Sequence, residues 1–169
     1  MLTSLQRATA TTVFALMAAA VFFMMGCAGS GTASATTEAD NLARVQAGFD
    51  AWAAGTGTVF DLLSDDATWE VLGSTPVSRT YTSKADLEQN MLRAFNARMS
   101  GPLRPTVRRL HADGDTVFAF FDATGTARDG VAYRNTYMWL LDMRHGRIVG
   151  VKALLDSVAF NDLWERVAP

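Results

Sequence analysis

Residues 131–164 read VAYRNTYMWLLDMRHGRIVGVKALLDSVAFNDLW. Two runs of strand composition, VAYRNTYMWLLDM and RIVGVKALLD, flank His145-Gly146, a pair suited to a tight hairpin turn. Upstream, TVRRLHA and TVFAFFDATGTA have the same character, and Asp113-Gly114 and Asp129-Gly130 supply further turn signals. The spacing predicts four successive strands. In SVAFNDLWERV, Phe160, Leu163, Trp164 and Val167 then mark a short closing helix.

Before Pro102 the period changes. In EADNLARVQAGFDAWAAG, Leu42, Val45, Phe49 and Trp52 recur at helical spacing and Gly55 supplies a stop. A second short helix is expected from Thr58, as N-cap, through VFDLLS, and ATWEVLG reads as a strand followed by a Gly, Ser and Pro loop. SKADLEQNMLRAFNARM predicts a third helix, with Ser83 as N-cap and Leu87, Met91, Phe95 and Met99 on one face. Helices first and a strand meander afterwards define an α+β domain: a curved antiparallel sheet with N-terminal helices packed across one face. Such an arrangement can enclose an apolar cavity, a common place for a small-molecule site.

The chain has 169 residues, a formal net charge of -2 and one cysteine. That length suits one domain, and the charge gives no nucleic-acid footprint. A single cysteine excludes an internal disulfide framework, and His111 and His145 lack metal-ligand spacing, so no metal or cofactor is expected. Residues 8–25 carry no charge, Arg7 precedes them, and Gly26-Cys27 follows. This pattern is that of a secretory signal over residues 1–26. Its end resembles a bacterial lipoprotein processing site, which implies lipidation of Cys27. An uncleaved membrane anchor and ordinary signal cleavage are the alternatives, and all three place the domain outside the cytoplasm. Residues 27–37, almost entirely Ala, Gly, Ser and Thr, read as a flexible tether, and the globular domain as 38–169.

Two segments, FDAWAAGTGTVFDLLSDDATWEVLGSTPVS (49–78) and YRNTYMWLLDMRHGRIVGVKALLDSVAFNDLW (133–164), resemble the SnoaL-like, ketosteroid-isomerase-like proteins of the nuclear transport factor superfamily. The likeness extends over residues 42–167. It implies a cone-shaped α+β barrel with a hydrophobic cavity, frequently dimeric through the outer sheet face, and it does not imply one activity. In ketosteroid isomerases the proton-shuttling aspartate follows the glutamate of a segment resembling DDATWE. Here that place belongs to Val71, which cannot accept a proton. Limonene-epoxide-hydrolase-like members use an Arg-x-Asp and an aspartate ending the last strand. This chain offers Phe120-x-Asp122 and Asp156, so both carboxylates match and the arginine does not.

Asp156 is therefore a candidate general acid or base, with Asp122 as its partner. Alternation puts Lys152, Leu154 and Asp156 on one strand face and Val151, Ala153 and Leu155 on the other. If the first face lines the cone, Asp156 is desolvated and fit for proton transfer; if it caps the closing helix instead, it binds backbone N–H groups. Asp122 equally reads as a solvated strand-edge carboxylate. Trp69, Phe120, Asn135, Tyr137, Trp139 and Leu154 are the candidate ligand contacts, Asn135 and Tyr137 supplying hydrogen bonds. Core roles are the competing reading for Trp69, Asn135, Tyr137 and Trp139. The expectation is a lipid-anchored domain that binds a small, mostly apolar molecule, the alternative an isomerase, cyclase or hydrolase working through Asp156.

Overall fold

In a computed structural model the backbone is described from Gly29 and side chains from Thr37, both to Pro169. The signal segment 1–26 and Cys27 lie outside the described residues. Helix α1 (Gly29–Ala54) begins within the stretch whose composition reads as a tether. Its Val45 and Phe49 are fully buried, with Leu42 and Trp52 packed beside them, as the spacing predicts.

After α1 comes one 3-10 turn, Val59–Leu62, whose capping box pairs Thr58 with Asp61. The expected second helix stops there. Leu63 already opens strand β1 (Leu63–Val71), where it pairs with Ile148 and its carbonyl accepts a hydrogen bond from Arg147 at 2.6 Å. Pairing with a distant strand overrides the local helical pattern. A short β2 (Thr80–Tyr81) lies inside the segment read as loop. The third helix is present with Ser83 as N-cap, its hydroxyl accepting from the Asp86 N–H at 3.0 Å. It is divided into α2 (Lys84–Leu87), a π-helical turn (Glu88–Leu92) and α3 (Arg93–Asn96).

The four predicted strands are β3 (Arg104–Asp113), β4 (Thr116–Thr126), β5 (Ala132–Arg144) and β6 (Arg147–Leu155), followed by α4 (Ser157–Arg166). His145 and Gly146, with φ of 50° and 73°, form the two-residue turn between Arg144 and Arg147. Positive φ at both central positions is what a type I′ hairpin requires. The sheet order is β2-β1-β6-β5-β4-β3, an open curved sheet. All pairs are antiparallel except β1 with β6, which run parallel.

Register sorts the side chains into two faces. One row across the sheet is Ala119–Trp139–Ala153–Val71, and the next is Phe121–Tyr137–Leu155. Apart from half-buried Leu155, these residues are buried, and they face the helices. The opposite face carries Phe120–Met138–Leu154 and Phe118–Leu140–Lys152.

Candidate functional site

The inner face of the sheet, the end of α1 with its following 3-10 turn, the α2–α3 run and α4 enclose a cavity of about 930 Å³. Its mouth and its closed end differ in chemistry. The polar side chains on the lining, those of Thr56, Thr58, Asp61, Glu88, Asn96, Ser100 and Arg104, are exposed or half-buried and form the mouth. The closed end is built from Trp69, Val71, Val77, Phe95, Tyr137, Trp139, Ala153 and Phe160, all buried.

One wall is aromatic. Trp139 packs edge-on against Trp69 with ring centroids 4.8 Å apart and lies nearly parallel to Trp52 at 6.2 Å. Tyr137 stacks on Phe121 at 5.0 Å. Such contacts hold large flat side chains in fixed orientations, leaving the adjoining space open for a ligand. The π turn contributes from the other side, because both Met91 and Leu92 reach the lining from within it. Single π turns of this kind recur at functional sites.

Two polar devices support the lining from behind. Arg104 donates to the carbonyl of Trp52 at 2.9 Å, satisfying a terminal carbonyl of α1 and placing a cation near the negative end of its dipole. Gly55 makes room for it. Its φ is 77°, and a Cβ there would stand 2.5 Å from the Arg104 guanidinium. On β5, Asn135 donates to Tyr133 Oη at 2.8 Å, and Tyr133 Oη lies 3.0 Å from Tyr137 Oη. Burial pushes the Tyr137 phenol well above its usual pKa, reinforced by the charge of an ionised Tyr133 and the bond to it. Burial likewise raises Tyr133. Both stay protonated at neutral pH. The Trp69 indole N–H is buried without a hydrogen-bond partner.

The structure divides the residues expected at the site. Trp69, Tyr137 and Trp139 line the cavity. Asn135 is buried behind the wall, with its amide fully engaged by Tyr133 and the Asp156 backbone. Phe120 and Leu154 are on the outer face, Leu154 being 43% exposed, so neither is a cavity contact. The face of β6 that lines the cone is that of Ala153 and Leu155, opposite to the one an acidic site requires.

Asp156 follows from this. It is exposed, and its Oδ1 accepts from the N–H of Val158 at 2.9 Å and of Ala159 at 3.4 Å, capping α4. Asp122 is held on the outer face by Arg108, with N–O distances of 2.6 and 2.7 Å, and by the Thr136 hydroxyl at 2.8 Å. The bond from Thr136, with that from Arg108, lowers its pKa. Neither carboxylate belongs to the cavity lining, which corrects the expectation of a two-acid centre. Val71 does line the cavity, so the position matching the isomerase aspartate faces the ligand space without an acid. Among the described residues no cluster of His, Cys, Asp and Glu could hold a metal ion, and no helix is long and apolar enough to cross a membrane.

Neither Arg104 nor Tyr133 stands out in the sequence. Arg104 meets a residue about fifty positions away, and Tyr133, whose hydroxyl partners Asn135 and Tyr137 are on the same strand, matters only because the three hydroxyl and amide groups are turned to one side of it.

Residues 45–151 match the SnoaL-like domain family, and the chain belongs to it. Its solved neighbours share the fold at low identity. Bal32a, from a soil-derived mobile gene cassette, has a TM-score of 0.63 at 17% identity, covering 76% of this chain and 98% of its own. TerC, co-crystallised with polyporic acid, gives 0.62 at 20% identity, covering 75% and 98%. An NTF2-like protein from Burkholderia thailandensis E264 gives 0.60 at 19%, covering 72% and 95%. No curated protein matches the chain.

Proposed function

We propose that this domain binds a small, mostly apolar molecule in its cone and that binding, not acid–base chemistry, is its task. The observation that carries this reading is the cavity: about 930 Å³, walled by aromatic side chains, with no carboxylate or imidazole at its closed end. A volume of that size suits a drug-sized ligand. Enzymatic use of Asp156 and Asp122 lacks support, since proton transfer needs reach to the ligand and both are engaged elsewhere.

The same reading keeps the domain outside the cytoplasm, tethered through lipidated Cys27, because Arg7, the uncharged run 8–25 and Gly26-Cys27 have the order of such a signal. It also pairs two copies through the outer sheet face. There Phe118, Met138 and Leu154 are 37%, 44% and 43% exposed on three neighbouring strands. A contiguous apolar patch of this kind marks an interaction surface.

The test uses the neutral fluorophore N-phenyl-1-naphthylamine with the purified protein. Saturable, blue-shifted emission at one probe per chain is expected, and Ala153→Trp, which fills the closed end, is expected to remove it while far-ultraviolet circular dichroism stays unchanged. Absence of saturable binding, or binding indifferent to Ala153→Trp, would refute the proposal.

A further inference from the structure

Counting hydrogens along β5 carries the binding reading one step further, and rests on it. Asn135 is clamped end-on to the backbone of Asp156, accepting from its N–H at 2.9 Å and donating to its carbonyl at 3.0 Å. Only one amide orientation satisfies both bonds, so the second amide hydrogen goes to Tyr133 Oη at 2.8 Å. Tyr133 is 2% exposed and must place its own hydrogen elsewhere. Tyr137 Oη, at 3.0 Å, is the acceptor at hand. The chain of bonds therefore runs one way, from amide through Tyr133 to Tyr137. That leaves the Tyr137 hydrogen without a partner in the protein, on a residue that lines the cavity.

The neighbouring Val71, Phe95, Ala153 and Phe160 side chains carry no polar atom. An N–H or O–H of a ligand would thus find no side-chain acceptor there except the Tyr137 oxygen, which already takes the Tyr133 hydrogen. An anion would be desolvated there without a counter-charge, since Arg104, the one guanidinium on the lining, is at the mouth.

We infer that the closed end is a donor-only recognition site for a flat, uncharged aromatic molecule bearing a carbonyl-class oxygen, with Tyr137 donating to that oxygen. Asn135 and Tyr133 are positioning residues: they never touch the ligand and set the direction of the Tyr137 hydroxyl.

The probes are 9-fluorenone and fluorene, which differ by a carbonyl in place of a methylene. The purified protein is expected to bind fluorenone about tenfold more tightly, the effect of one hydrogen bond. The carbonyl stretch of bound fluorenone should lie at lower wavenumber than in an aprotic solvent. Tyr137→Phe removes both effects while fluorene still binds. Tyr133→Phe retains fluorene binding and shrinks the stretch shift, a readout that a purely structural role would leave untouched. The stretch in the unmodified protein decides the matter should Tyr137→Phe fail to fold. Equal binding of the two probes, an unshifted stretch, or a preference that survives Tyr137→Phe overturns the donor assignment and leaves the cavity reading standing. Binding of neither probe overturns both.

Discussion

Replacing Asn135 by Ala is expected to destabilise the protein far more than replacing Asp156 by Ala, although the acid is the more conspicuous residue in the sequence. Asn135 is 5% exposed and makes bonds of 2.8, 2.9 and 3.0 Å to Tyr133 and to the N–H and carbonyl of Asp156. The Asp156 N–H keeps the Thr136 carbonyl and the Asp156 carbonyl keeps the Phe160 N–H, each at 3.1 Å, and Tyr133 Oη keeps Tyr137, so the cost is that of the three lost bonds. At about 1 kcal/mol per bond, the loss of three bonds comes to about 3 kcal/mol. Asp156→Ala removes a helix cap at an exposed site, an effect of about 1 kcal/mol. For a domain of this size roughly 3 °C accompanies each kcal/mol, so the melting temperatures should fall by roughly 10 °C and roughly 3 °C respectively. Urea titration at neutral pH, monitored by tryptophan fluorescence and by circular dichroism, measures both under a two-state test. Equal losses, or a larger one for Asp156→Ala, would refute the account of the β5 clamp.

Three further outcomes are expected. Asp122 has a depressed pKa in the folded protein, owing first to the Thr136 hydroxyl and then to Arg108, so its stabilising contribution is present above the ordinary value of 3.8 and fades as pH falls below it. Urea midpoints of Asp122→Asn should therefore decline less steeply than those of the unmodified protein over that acid range; parallel curves would exclude the linkage. Met138→Glu places a charge in the middle of the exposed apolar rows and should convert a dimer to a monomer in sedimentation velocity without lowering the melting temperature. A monomeric unmodified protein would remove the dimer proposal. In a bacterial membrane fraction, intact mass is expected to show a diacylglyceryl group on a chain starting at Cys27, and a Cys27→Ala protein still held in that fraction would point to an uncleaved anchor.

The strands β3 to β6 are legible because each is built from β-branched and aromatic residues with turn signals between them. The α1 stripe and the Ser83 cap are legible for the same local reason. The length of the second helix was not. Leu63 leaves the helical pattern to pair with Ile148, a partner more than eighty positions away. Sequence alternation also separates Leu154 and Asp156 from Ala153 and Leu155 without saying which pair faces inward. That choice depends on where β6 lies between β1 and β5 and on which face the helices cover.

By itself, then, the sequence determined the class of fold, the order of its elements, the absence of an acid at Val71 and the aromatic character of the eventual wall. These are properties of residue type and local period. Only the tertiary structure decided that Asp156 caps α4, that Asp122 belongs to Arg108 on the outer face, and that Tyr133 and Arg104 matter to the cavity. The partners of Arg104 and Asp122 and the inward face of β6 are set by contacts between separate segments, and the local choice between an Asp156 that caps α4 and one that lines the cone is settled only once that face is fixed.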